Sequence, residues 1–214
     1  MKDYIHFFRQ FREQFHTTGA IAPSSRFLAK AIARPLANAE KPVRVLEVGP
    51  GTGAATQQIV QLLSAGDQFD LVEINSSFAE LIKEQFQSNE QYKRVAEISE
   101  VHVCALQDFE PDGLYDFIIS GLPLNNFPPE LVSEFFEIFA NLLKPGGTLS
   151  YFEYMFVRSL RKTVSKNMRN LDAVIAPQVQ QFRIERDWVF INLPPAWVQH
   201  LQFVSSAEAE HARI

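Results

Sequence analysis

Short apolar runs alternate with amphipathic stretches along most of the chain. Val43, Val45, Leu46 and Val48 form a compact run bounded by Pro42 and Gly49, the pattern of a strand buried on both faces. Similar runs recur at Phe69–Val72, Val101–Leu106, Tyr115–Ile119 and Thr148–Phe156, and Phe182–Leu193 carries one or two final strands. Between them the period lengthens to that of a helix. The spacing predicts helices over about 54–65, over 77–88 with Phe78, Leu81, Ile82 and Phe86 on one face, and over Pro129–Leu143 with Leu131, Phe135, Phe136, Phe139 and Leu143 inward. Strands alternating with helices predict an α/β fold built on a parallel sheet.

Two further stretches are helical and carry charge on one side. In residues 3–16, Tyr4, Phe8, Phe11 and Phe15 fall on one stripe with Phe7 beside it, flanked by Lys2, Arg9, Arg12 and His16. In residues 157–171, Val157, Leu160, Val164, Met168 and Leu171 share one side, and Arg158, Arg161, Lys162, Lys166 and Arg169 the other. Each pattern fits a helix packed on the domain with solvated charges, and each fits an interfacial helix on an anionic membrane. Thr17, Thr18 and Gly19 break the first helix. A serine after Pro23 can cap the next one, Arg26–Ala39.

Composition narrows the classes. The 214 residues are 46% hydrophobic and 21% charged, which fits one domain with an ample core, residues 1–40 leading into a core at 41–214. A net charge of −5 disfavours a broad nucleic-acid surface. The single cysteine, Cys104, excludes an intrachain disulfide and a thiolate metal cluster; no metal is expected, and the thiol reads as an inert member of a buried strand. Neither a signal peptide nor a membrane span is evident, so a cytoplasmic protein is expected.

The candidate chemistry sits where the first strand meets its helix. Gly49, Pro50, Gly51 and Gly53 give G-x-G-x-G spacing, and glycines let backbone approach a ligand closely. Glu47 stands two residues before this turn. Its carboxylate suits an amino group or hydroxyl and would repel a phosphate, which argues against a nucleotide diphosphate. Glu73 ends the next apolar run, where an α/β nucleoside site places a carboxylate for two ribose hydroxyls.

The strings E-V-G-P-G-T-G and L-V-E-I-N resemble the first two motifs of class I S-adenosylmethionine-dependent methyltransferases. L-K-P-G-G at 143–147 is a turn frequent in the same class. T-T-G-A-I-A-P-S-S-R-F-L-A-K-A-I, S-G-L-P-L-N-N-F-P and N-L-P-P-A-x-V resemble bacterial phospholipid N-methyltransferases. The resemblance implies a Rossmann-like fold, a mostly parallel seven-stranded sheet flanked by helices with an N-terminal helical lead-in. It implies S-adenosylmethionine as cofactor, with S-adenosylhomocysteine as product, held by Glu47, Gly49, Pro50, Gly51, Gly53, Glu73, Ile74, Ala105, Leu106, Asp108 and Ser120. The chain departs from the class at Cys104-Ala105-Leu106, where an acidic G-D-A-like triplet is common. It departs again at Gly121 and Leu124, where amino-methyltransferases acting on adenine or glutamine carry Asn or Asp and an aromatic residue to clamp a planar amine.

The implied activity is methylation of the amino headgroup of phosphatidylethanolamine by a monomer, peripheral on the inner face of the cytoplasmic membrane and without nucleic acid. Thr18, Ile21, Ser24, Gly121, Leu122 and Pro123 would meet the substrate. A primary aliphatic amine has a pKa of roughly 10 and arrives protonated, so a group at the sheet edge must accept a proton before transfer. Candidates are Glu153, Tyr151 and Tyr154, with Tyr4 if the first helix folds over the site. Alternatives are an RNA adenine dimethyltransferase, an enzyme for another amino lipid such as an ornithine lipid, and a cofactor-binding protein without catalysis.

Overall fold

The computed structural model of the protein describes residues 25–155 and 166–203. The helix expected over 3–16, the first part of that expected over 157–171 and the tail from 205 lie outside them. Seven strands form one sheet in the order β3-β2-β1-β4-β5-β7-β6. They are β1 (Arg44–Val48), β2 (Gln68–Val72), β3 (Ser99–His102), β4 (Tyr115–Ser120), β5 (Leu143–Tyr154), β6 (Arg183–Val189) and β7 (Ala196–Gln202). β1 pairs in parallel with β2 and β4, β2 with β3, and β4 with β5, while β7 runs antiparallel between β5 and β6.

The helices are α1 (Arg26–Ala33), α2 (Ala54–Leu62), α3 (Ser76–Ser88), α4 (Glu90–Lys93), α5 (Pro129–Leu142) and α6 (Lys166–Phe182). They cover both sheet faces. On one, Leu46, Ile118 and Leu149 meet Val132, Phe136, Phe139, Leu171 and Ile175 of α5 and α6. On the other, Val45, Phe69 and Phe152 meet Leu28, Ile32, Ile59 and Val60 of α1 and α2 and Ile82 of α3. Parallel strands buried on both faces account for the near-continuous apolar runs.

Several boundaries differ from the sequence expectation, each for a local reason. Ser25 caps α1, its hydroxyl accepting from Leu28 N–H at 3.2 Å, but the helix stops at Ala33, and Arg34–Asn38 continue as 3-10 helix. Pro35 lacks the N–H an α-helix would use there. β3 ends at His102, before the expected Leu106, and residues 103–105 leave the sheet toward a 3-10 turn at Leu106–Asp108. Cys104 is therefore off the strand and only partly buried. Phe182 ends α6, and the seventh strand begins only at Ala196, inside the N-L-P-P-A-x-V string and beyond the expected limit at Leu193, with Ala196 opposite Tyr154 and Val189.

A polar chain, buried at Ser150 and His200 and opening to solvent at Asp187 and Arg34, ties the antiparallel end of the sheet to the 3-10 turn after α1. The Ser150 hydroxyl lies 2.8 Å from His200 Nδ1, and His200 Nε2 lies 3.2 Å from Asp187, which accepts from Arg34 Nε at 2.7 Å. Burial holds the His200 pKa below its ordinary value against the pull of Asp187, so the ring is neutral and satisfies both neighbours. Ser150 is sealed inside the sheet and serves as a structural hydroxyl, not a nucleophile.

Candidate active site

The carboxyl ends of β1, β2 and β4 converge on the glycine turn. Gly49 N–H donates to Val72 O at 2.9 Å, and Gly121 N–H donates to Val48 O at 2.8 Å. These bonds hold the turn between the two flanking strands. Gly49 has φ +68°, and a Cβ there would stand 2.6 Å from Leu122 Cδ2. A Cβ on Gly121 would stand 2.5 Å from Gly49 O. Backbone thus fills the place where an Asn-bearing amine clamp would sit, which explains the glycine at this departure from the planar-amine enzymes. Gly53, at φ +84°, caps α2 in the left-handed region that glycine tolerates.

Two carboxylates flank the turn in contrasting states. Glu73 Oε2 accepts from Gly51 N–H at 3.0 Å and Oε1 from Asn75 N–H at 2.9 Å, so this side chain is locked against the loop. Glu47 is fully buried, and among the described residues no hydrogen bond of full geometry reaches either of its oxygens, although the Thr56 hydroxyl and N–H stand close enough to favour its charge. Burial, with the nearby Glu73 charge adding to it and Thr56 opposing, pushes its pKa up to about 8. A buried acceptor without a donor costs free energy unless a ligand supplies one. An amino group or hydroxyl reaching the turn would do so.

Beside the turn lies a cavity of about 280 Å³. Gly49, Glu73, Ile74, Ala105, Leu106 and Asp108, expected around the cofactor, line it together with Leu122, expected on the substrate side. Pro50, Gly51, Gly53 and Ser120 stand around the turn outside the lining. Ser120 is buried, its hydroxyl accepting from Leu122 N–H at 3.3 Å. Val48, Val72, Cys104, Gln107 and, from α5, Leu131, Glu134 and Phe135 complete the wall. The sequence had marked Leu131 and Phe135 only as inward-facing, and Glu134 not at all; their i, i+3, i+4 spacing directly after the β4 loop is the signal that could have found them. The mainly apolar slot suits a flat heteroaromatic ring, with Glu73 at its edge for a diol.

The proposed proton acceptors separate. Tyr151 lies beside Ser120 in the β4–β5 register, and Glu153 lies two residues further toward the carboxyl edge on the same sheet face. Tyr151 hydroxyl donates to Glu153 Oε1 at 3.1 Å, and Gln199 Nε2 donates to the same oxygen at 3.3 Å. Tyr154 is on the opposite face, packed edge-on against Phe152. Asn125, in the loop before α5, is buried with Oδ1 lacking a partner among the described residues, an acceptor the sequence did not single out. Pro123 opens this same loop. Tyr4, Thr18, Ile21 and Ser24 lie outside the described residues.

A sheet in this order with one antiparallel strand, a glycine turn after β1 and a carboxylate at the end of β2 define a class I S-adenosylmethionine-dependent methyltransferase. Comparison with known proteins agrees. Residues 13–173 match the model of the AdoMet dependent proline di-methyltransferase family, and the chain belongs to that family. An ornithine lipid N-methyltransferase of Singulisphaera acidiphila is 31% identical over 160 residues, covering 72% of this chain and 80% of that protein. The highly reducing polyketide synthase NEC1 of Pyricularia oryzae matches at 34% over 55% of this chain but only 4% of its own length. Among solved structures, the N-methyltransferase NodS of Bradyrhizobium japonicum superposes with TM-score 0.59 at 14% identity, covering 83% of this chain and 94% of that one. An O-methyltransferase of Bacillus cereus in complex with SAH superposes with TM-score 0.61 at 13% identity, covering 92% and 91%. The enzyme uses S-adenosylmethionine.

Proposed function

We propose that the protein methylates the primary amine of a membrane-lipid headgroup, with phosphatidylethanolamine as the substrate. The observation that carries this reading is the buried Glu153 at the carboxyl edge of β5, oriented by Tyr151 and Gln199. An aliphatic ammonium requires a negative, proton-accepting group, and a planar amide or adenine amine does not. The likeness to an ornithine lipid N-methyltransferase supports a lipid amine as acceptor.

Bound S-adenosylmethionine supplies an electrophilic methyl group. The chain's own contribution is placement, which can be worth up to about 7–11 kcal/mol when reacting groups are aligned. Glu73 holds the ribose hydroxyls; Ile74, Ala105, Leu106 and Phe135 enclose the adenine; Glu47 receives the amino group of the methionine moiety. Glu153 draws in the ammonium and takes its proton, while Asn125 Oδ1 offers a second acceptor. Gly121, Leu122 and Pro123 wall the acceptor side.

Radiolabelled cofactor with vesicles of phosphatidylethanolamine, with ornithine lipid and with free proline tests the assignment. Label in phosphatidylethanolamine is expected. Label in ornithine lipid alone transfers the reading to that lipid, and label in proline alone overturns the lipid reading. Glu153→Gln should keep cofactor affinity and lower kcat by about 10²–10⁴, the usual worth of a general base. A change below about threefold would remove Glu153 from the reaction.

A further inference from the structure

The hairpin between β6 and β7 carries an apolar tip that the sheet leaves uncovered. Phe190, Ile191 and Leu193 are 67%, 68% and 74% exposed, and Trp188 next to them is 55% exposed. Isolated exposed apolar residues are ordinary; four within six positions are not. Phe190 stacks on Trp188 at 6.0 Å, and Trp188 meets Trp197 edge-on at 5.5 Å. The tip is held firmly. Asn192 points inward, its Oδ1 accepting from Ser25 N–H at 3.0 Å and its Nδ2 donating to Pro194 O at 2.7 Å, while Met155 N–H donates to Pro195 O at 2.8 Å.

Its position matters. Ala196 pairs with Tyr154 at the carboxyl end of β5, and Val189 pairs with Ala196, so the turn joining them projects from the sheet edge that carries the glycine turn and Glu153. Cations surround it. Lys30 and Arg34 line a groove with Phe27, Trp188, Phe190 and Ile191, Arg26 stacks on Phe27 at 4.9 Å, and Arg186 lies 4.9 Å from the Trp197 ring. Arg34 pairs with both Glu185 and Asp187, at 2.6 Å and 2.7 Å, and with Arg26, Lys30 and Arg186 counted the four named cations outnumber the two carboxylates in a chain whose net charge is −5.

We infer that Phe190, Ile191 and Leu193 insert into the headgroup–acyl boundary of an anionic bilayer, with Trp188 at the interface and Arg26, Lys30 and Arg186 on the lipid phosphates. Aromatic and aliphatic side chains ringed by cations match that boundary chemically. Docking there sets the active-site edge against the headgroups, so a lipid amine reaches Glu153 without leaving the membrane. The inference rests on the lipid-amine reading for its purpose, but its test does not.

The test uses the full chain and vesicles of phosphatidylglycerol with phosphatidylethanolamine, against phosphatidylcholine alone. The protein has two tryptophans, so a Trp197→Phe background reports Trp188 alone. Trp188 emission should shift to shorter wavelength on the anionic vesicles and be quenched by lipids brominated along the acyl chain. Phe190→Ser/Ile191→Ser/Leu193→Ser should weaken vesicle partitioning at least ~10-fold, with melting temperature and turnover on a short-chain, detergent-dispersed amino lipid within about twofold and a few degrees of the parent. Vesicle binding with Trp188 unquenched, or unaltered partitioning of the triple variant, overturns the inference. So does a tip covered by residues 1–24, seen as a lower melting temperature for the triple variant with unchanged partitioning. A second copy on the tip, seen as a dimer that the variant dissolves, overturns it as well. Intact quenching without methyl transfer to any amine lipid would remove the substrate assignment and leave the docking tip standing.

Discussion

Glu47 offers a test of the site that needs no substrate. Its ordinary pKa of 4.5 rises to about 8 in the fold because the carboxyl is wholly buried near Glu73. An acid whose folded pKa lies above its unfolded value costs nothing below the unfolded value, and the cost is complete above the folded one. At about 1.4 kcal/mol for each pH step between 4.5 and about 8, ionised Glu47 costs the cofactor-free fold about 5 kcal/mol, and about 3 kcal/mol at pH 7. The cofactor-free enzyme should therefore lose stability as pH rises from about 5 to about 8, and Glu47→Gln should flatten that slope. About 2.5 kcal/mol of this appears between pH 5 and pH 7, so at about 2–4 °C per kcal/mol for a chain of this size the melting temperatures of variant and parent should diverge by roughly 5–10 °C over that range. Thermal unfolding monitored by circular dichroism across the pH range gives the answer. Cofactor binding should also release protons near pH 7, because the ammonium of the methionine moiety favours the ionised carboxyl; calorimetry in buffers of different ionisation enthalpy counts them. Parallel stability curves for parent and variant, or binding without proton release, would refute the reasoning.

Glu73→Ala removes a carboxylate that organises the loop and faces the cavity. S-adenosylhomocysteine affinity by calorimetry should fall about 10–100-fold, the worth of one or two charge-assisted hydrogen bonds. Gly121→Ala forces a Cβ onto Gly49 O and should destabilise by about 1–3 kcal/mol while weakening cofactor binding. Gly66→Ala, whose nearest contact is Pro42 at 3.8 Å, should stay within about 0.5 kcal/mol of the parent in the same denaturation series. His200 has a lowered pKa, so the unfolded chain gains a proton that the folded one refuses once pH drops below 6.5. Urea titrations should show stability falling through that range, and His200→Phe should lessen the fall.

The order of elements was legible because buried parallel strands and amphipathic helices leave different periods in the sequence. So were the glycine turn, with Glu47 and Glu73 around it, since strand, turn and helix are contiguous and only glycine takes φ +68° easily. Pairing across distance was not. Nothing in residues 103–108 shows that the chain leaves the sheet at His102 to turn Cys104 toward a cavity. Nor does the sequence reveal that Glu134 on α5 lines the same cavity as Ile74. The same holds for Glu153: a carboxylate in an apolar strand can be a core acceptor or a reactive one. Its partners decide, and Gln199 lies 46 residues away, brought alongside only because β7 runs antiparallel to β5. The chain's local chemistry determined the fold class and the cofactor turn; register across the sheet decided which acceptors meet and which apolar tip stands at the edge of the site.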